Sequence, residues 1–337
     1  MHLAISPSKS LFMQCTHASR RLRSWSALGA ALLLAPTAMA EEPAPQGLTG
    51  HLIREVKRAK VIELSHTWDE NSPVLALNPP YAMSLPFTHA NTRGTFGDGG
   101  QLSFTSDGMQ WSGQHGAPSI DAVGHIGHDG LLYGGVDAEA ATSDPRGLGR
   151  SGVGAELAID QYPMDLLVNR GVLLDVARFV MGNSQPLPAG FEITSHHLRQ
   201  TAAFQRVHLQ PGDTVFIRTG WGQHFKGDPE LYKGVASPGP GLDAAQYLLE
   251  KGARVVGADT LTFEKRPATV YIPQLQVFPV HLLLVPDNGI YIIENVQLED
   301  LSAARAYEFV AVVPPLKVLG ATGSALRAFA LVDRHGR

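Results

Sequence analysis

The sequence predicts a mixed α/β fold, folded as one domain behind an export signal. Short runs rich in β-branched and aliphatic residues recur at 61–64, 171–176, 215–218, 255–259, 290–293 and 309–313, the length of buried strands. Only 194–204 and the stretch opening at Asp243 have helical character between them. Strands alternating with so few helices argue for a mixed sheet rather than an all-parallel, doubly wound one. With 44% hydrophobic and 17% charged residues, no repeat and no internal linker, the chain has the composition of one soluble core.

The first forty residues stand apart. Lys9, Arg20, Arg21 and Arg23 precede an apolar run at 25–34, and Ala38-Met39-Ala40 is a small-x-small processing site. That layout is a secretory signal peptide, with an apolar run too short to span a membrane. Ser19-Arg20-Arg21 suggests the twin-arginine route, although the Phe-Leu that usually follows is absent. Cleavage after Ala40 removes four basic and no acidic residues, moving the net charge from −4 to −8. An acidic mature chain without Lys/Arg clusters suits neither nucleic acid nor an anionic membrane. The expected location is therefore periplasmic or secreted, off the membrane after cleavage. Cys15, the only cysteine, falls in the leader, so the mature chain needs no disulfide or thiol chemistry.

Residues 41–55, which begin Pro- and Gly-containing, are expected to be flexible, with the domain proper at 56–337. Within it, 61–64 reads as a strand, the Pro-rich 72–86 as an ordered loop, and 102–111 as alternating strand. The Gly-rich stretch 113–130 reads as a turn or the start of a helix. Residues 164–167 and 171–176 are extended runs, and 194–204 a helix. Residues 215–218 form a buried strand. Asp243 fits an N-cap with Gln246 three later, opening a helix that Gly252 closes. Strands follow at 255–259, 290–293 and 309–313, and 325–332 closes the domain.

The stretch 113–130 carries the chemistry. It sets His115, Asp121, His125 and His128 close together among small residues that let backbone and ligand approach. Imidazole and carboxylate are ligands favoured by Zn²⁺ and Mn²⁺, and the same groups move protons near neutral pH. A lone histidine is usually packed or solvated; three with an aspartate in one Gly-rich run point to a metal or catalytic site.

This run resembles the His-x-Gly-Thr-His-x-Asp-Ala-Pro-x-His signature of the cyclase-like metal hydrolases, the family of bacterial kynurenine formamidase and isatin hydrolase. Further blocks follow in the family's order: Glu63-Leu64-Ser65-His66-Thr67, Gly171-Val172-Leu173-Leu174-Asp175, Gly212-Asp213-Thr214-Val215 through Trp221, Gly257-Ala258-Asp259-Thr260, Phe278-Pro279-Val280-His281, Gly289-Ile290-Tyr291 through Asn295, and Gly320-Ala321-Thr322-Gly323-Ser324. The resemblance implies a layered β/β/α fold with its site in a cleft at strand ends. It implies His115, Asp121, His281 and Glu294 as ligands of a divalent metal, Zn or Mn, and His125 as the acid/base. It also implies an oligomer. Ser119 stands where the family has its second histidine, which argues for one ion rather than two.

The chemistry implied is hydrolysis of a small amide, imide or lactone by metal-activated water. His66, Trp68, Ser119, Trp221 and Asp259 are candidates to line the substrate pocket. Structural uses are the ordinary alternatives: core packing for the two tryptophans, an ion pair for Asp259, a buried histidine bonded to a carbonyl for His281. A metal-free binding protein on the same fold is the competing reading. Kynurenine formamidase proper is disfavoured, because that activity is cytosolic and the motif here is altered.

Overall fold

The apolar runs of the sequence become strands with both faces covered. A computed structural model of the chain describes residues 47–75, 77–114, 116–271 and 275–333; the segment 1–40, expected to be an export signal, and His115 lie outside them. Four parallel strands form the centre: β5 (Val168–Leu174), β6 (Thr214–Ile217), β7 (Val255–Ala258) and β8 (Tyr291–Glu294). Side chains alternate between faces along each strand. Leu173, Phe216, Val255 and Ile293 enter one core; Val172, Leu174, Val215, Ile217, Val256 and Ile292 enter the other. Strands buried on both sides read as unbroken apolar runs, which is why they stand out in the sequence.

Antiparallel strands extend this centre on both sides. On one side lie β9 (Glu308–Val312), β11 (Phe329–Val332) and β1 (Lys60–Glu63). On the other lie β4 (Ser119–Asp121) and β10 (Gly323–Ala325). The nine-stranded order is β1-β11-β9-β5-β6-β7-β8-β4-β10, a mixed sheet as expected. Helices α2 (Val176–Met181), α3 (Ser195–Gln205), α4 (Leu242–Glu250) and α5 (Pro279–Leu284) cover the second core through Val176, Leu198, Ala244, Leu248, Val280 and Leu284. The first core is closed by loop residues including Leu148, Leu157, Ile159 and Tyr162. No helix among the described residues is long and apolar enough to cross a membrane.

Several elements differ from expectation. Within the stretch 113–130, residues 119–121 form strand β4, not a turn or helix start, because Ile120 is drawn into the core and Asp121 pairs beside β8. Residues 164–166 form a 3₁₀ turn rather than an extended run. The N-cap of α4 is Gly241; Asp243 lies inside the first turn, and its carboxylate accepts the backbone N–H of Ser195 instead. The closing segment is split into β10 and β11. The Pro-rich loop gives way to strand β2 (Ala82–Phe87), paired with β3 (Ser106–Gln110) in a separate two-stranded ribbon. Of the segment 41–55, the described part from Gly47 is helical, within α1 (Gly47–Arg58).

Candidate metal centre

Strand register brings two carboxylates to one face. In the antiparallel pair β4–β8, Asp121 lies opposite Ile292 and Ser119 opposite Glu294. Directly opposed residues share a face, so Asp121 and Glu294 are diagonal neighbours on the side of Ile292, the face that the helices cover. Helix α5 lies over that face and lowers His281 between them. The ligand atoms of Asp121, His281 and Glu294 all fall within 4.8 Å of one another, and all three residues are buried. His281 Nε2 is 3.3 Å from Glu294 Oε1 and 3.9 Å from Asp121 Oδ2.

A third carboxylate holds the imidazole from behind. Glu264 Oε1 is 2.5 Å from His281 Nδ1 and accepts the His281 backbone N–H at 3.0 Å, while Oε2 accepts that of Val280 at 3.2 Å. These are orphan donors at the first turn of α5, where a negative charge is favoured. Glu264 sits in Thr-Phe-Glu-Lys-Arg, a string that reads as a solvated charged turn. Nothing in its local pattern marks it as a partner of His281.

The tautomer decides what this cluster can hold. With its Nδ1 proton donated to Glu264, a neutral His281 turns the Nε2 lone pair toward two more carboxylates. Lone pair against anions is repulsive unless a proton or a cation lies between them. Without a metal ion the proton takes that place. Burial lowers the affinity of His281 for it, but the hydrogen bonds to Glu264 and Glu294 outweigh burial and raise its pKa to about 10. Burial, then the Asp121 charge, pushes Glu294 up to about 8. No lysine or arginine pairs with Asp121 or Glu294 among the described residues. One imidazole nitrogen and two carboxylates, oriented by an outer carboxylate, is a donor set that fits a divalent cation.

His125 stands at the edge of this cluster, its Nε2 4.0 Å from Asp121 Oδ1 and its side chain 29% exposed. A turn closed by His125 N–H to the Ala122 carbonyl returns it to Asp121. His128 is directed elsewhere, with Nδ1 2.8 Å from Asp287 on the partly exposed surface. The loop before β4 is tethered to the cluster by Asn295, which donates to the Gly116 carbonyl at 3.2 Å and accepts from the Tyr232 hydroxyl at 2.9 Å. A Cβ at Gly116 would lie 2.1 Å from the Pro118 carbonyl oxygen, so only glycine fits there.

The pocket candidates divide. His66 and Trp68 line a cavity of about 300 Å³ together with Ser65, Thr67 and Ala117. Asp121, His281 and Glu294 are not among its walls. His66 stacks flat on Phe225 at 4.1 Å, and its Nε2 is buried without a partner. Burial, then the charge of Lys226, lowers its pKa to about 4, so the ring is neutral at pH 7.

Trp221 is core: with Phe225, Tyr232, Leu261 and Ala117 it forms a buried cluster on which Trp68 packs. Asp259 is fully buried and accepts from Thr219 N and Oγ1 and from Gly220 N, shaping the turn that carries Trp221. It makes no ion pair with Arg218, which instead bridges Asp175 and Glu299. Ser119 donates its hydroxyl to the Gln114 carbonyl at 2.9 Å, which commits it to the loop.

Comparison with known proteins agrees with this architecture. The sequence pattern of the Cyclase family matches residues 62–265. An isatin hydrolase of Roseibium aggregatum is 34% identical over 128 residues, which is 36% of this chain and 46% of that protein, so the aligned part spans about half of the relative's length. The crystal structure of a novel cyclase superposes with a TM-score of 0.69 at 28% identity, covering 83% of this chain and 89% of that one. Isatin hydrolase A from Ralstonia solanacearum shares the fold with a TM-score of 0.64 at 18% identity, over 87% of this chain and 100% of that one.

Proposed function

The chain belongs to the Cyclase family, and from that premise we propose that it is a metal-dependent hydrolase of a small amide, imide or lactone. A hydrolase-like function is what its relatives support. The observation that carries the reading is His281, tied at Nδ1 to Glu264 and facing Asp121 and Glu294 with Nε2. Asp121, His281 and Glu294 would hold one divalent cation, Zn²⁺ or Mn²⁺, with His115 as a further ligand. A cation so held supplies Lewis acidity, polarising a carbonyl and bringing the pKa of water from ~15.7 to about 7.

The chain's own groups do the rest. Glu264 keeps His281 in one tautomer and one orientation. His125 takes a proton from water as the water oxygen attacks the carbonyl carbon. It then returns that proton to the leaving nitrogen or oxygen as the C–N or C–O bond breaks. Acid/base work of this kind contributes roughly a hundred- to ten-thousand-fold. The cavity of about 300 Å³ that His66 and Trp68 line, with the paired Glu63 and Arg327 also among its walls, offers room for a small substrate rather than a polymer.

The test is metal analysis of purified protein together with hydrolysis of a panel of cyclic amides, imides and lactones. About one Zn²⁺ or Mn²⁺ per chain is expected, with activity lost on chelation and restored by that ion. Full activity without metal overturns the reading, and a metal-free, inactive protein that still binds such compounds favours the binding-protein alternative. We also propose export with cleavage after Ala40. N-terminal sequencing from the native host should find Glu41 first; a full-length cytosolic chain refutes it.

A further inference from the structure

Helix α1 carries an apolar stripe that the domain does not cover. Every residue of it except Gly50 is exposed, and none of its apolar side chains joins the buried cores described above. Leu48, Leu52, Ile53 and Val56 recur at the spacing that sets them on one face of a helix. They are 74%, 54%, 38% and 55% exposed. His51, Arg54, Glu55 and Arg58 recur at the same spacing and take the opposite face, with Lys57 at the border beside Ile53. A helix of 12 residues is marginal in water unless something packs on its apolar face.

We propose that α1 docks reversibly on an anionic lipid bilayer. A basic polar face opposite a stripe of aliphatic residues is the layout of a helix that lies in the plane of a membrane interface. Residues 51–60 hold Arg54, Lys57, Arg58 and Lys60 against the single Glu55, a local charge of +3 in a chain whose net charge is −4. Glu55 is itself met by Arg58 at 3.6 Å and by His51 at 3.9 Å. The net negative charge that sets the mature chain as a whole against such a membrane is an average, and this helix departs from it. An acidic body with one basic helix also meets an anionic surface helix first. A second copy is the poorer occupant. Four aliphatic side chains of this exposure offer about 300 Å², against ~800 Å² per partner in a stable protein interface, and pairing two copies brings two basic faces together. On a bilayer the stripe sinks into the headgroup boundary while the basic side chains reach lipid phosphates. Ala59 alone separates α1 from edge strand β1, and β1 ends at Glu63 on the wall of the cavity that His66 lines. Docking thus holds the sheet edge, and the cavity beside it, close to the bilayer. This inference rests on α1 and holds whatever the site catalyses.

Co-sedimentation of the purified chain with vesicles tests it, using phosphatidylcholine alone and phosphatidylcholine mixed equally with phosphatidylglycerol. Binding to the anionic vesicles is expected at about 50 mM salt, at least about tenfold weaker at about 500 mM salt, where charge is screened. Neutral vesicles should bind at least about tenfold more weakly as well. Leu52→Glu with Val56→Glu should remove binding, while Leu52→Met keeps it. Arg54→Gln with Arg58→Gln spares the stripe and should weaken binding to anionic vesicles at least about tenfold. The same N-terminus in parent and variants keeps segment 1–40 out of the comparison. Hydrogen exchange on the unaltered chain is the second measurement: amides of α1 should gain protection when anionic vesicles are added. A chain that binds neither vesicle at low salt overturns the proposal. So does a double-Glu variant that binds like the parent. Protection of α1 that rises with protein concentration in the absence of lipid also overturns it, and assigns the stripe to a second copy.

Discussion

His281 Nδ1 lies 2.5 Å from Glu264 Oε1, and the same carboxylate accepts the two backbone N–H groups that open the helix carrying His281. One side chain therefore sets the helix start, the ring orientation and the tautomer together. Glu264→Gln keeps the size but removes the charge that fixes the Nδ1 proton. Metal affinity should fall about 10–100-fold, with circular dichroism unchanged. Titration against a competing chelator measures it, and excess metal should restore most of the turnover. Unchanged affinity would make Glu264 merely a helix cap.

On the proposed roles, Asp121 binds the cation and His125 moves the proton, so two variants separate these functions. Asp121→Ala removes a charged ligand and should empty the site. His125→Ala should keep the metal and lower turnover by roughly a hundredfold or more. Metal content and steady-state rates on the two variants decide it; the opposite pattern would exchange their roles.

His66 makes the fold acid-sensitive in a defined window. Its folded pKa of about 4 lies below the unfolded value of 6.5, so between these pH values the unfolded chain binds the extra proton. Its contribution is complete above about pH 6.5 and is lost progressively as the pH falls toward 4. His66→Phe keeps the stack on Phe225 and removes the unpartnered nitrogen. Its Tm at pH 7 should be equal or higher, and the loss of Tm between pH 6.5 and 4 should become shallower. An identical acid profile in both proteins would show that other groups govern it.

Arg218 is fully buried between Asp175 and Glu299, with Ser302 also donating to Asp175. Arg218→Leu leaves Asp175 buried without that partner, and should cost about 3–5 kcal/mol in urea denaturation. A loss under 1 kcal/mol would mean that Arg178, also paired to Asp175, takes over.

The central strands were legible because their information is local. A strand buried on both faces must be apolar at consecutive positions, and that pattern survives in the sequence at 215–218 or 290–293 whatever its neighbours are. Asp121, His281 and Glu294 were visible as residue types in blocks resembling a known family. Other readings failed where a distant partner decides. Residues 119–121 hold no strand pattern long enough to recognise; pairing with β8 makes them one. For Trp221 and Asp259 the sequence leaves pocket and structural uses open, and only the fold shows that the turn they share with Thr219 is packed inward.

By itself the sequence determined the class of fold, the strand centres and the supply of imidazole and carboxylate, since composition and period act within a few residues. The tertiary structure alone decided which of those groups meet. Asp121 and Glu294 are neighbours because one antiparallel register sets them diagonally on the same face. Glu264 joins them because a helix N-terminus elsewhere in the chain needs an acceptor. The exposure of β2 and β3 is likewise invisible in their alternation, which would serve equally to face a core. Side-chain identity is written locally, but contact, burial and charge balance are properties of the whole chain, and these are what make three residues a site.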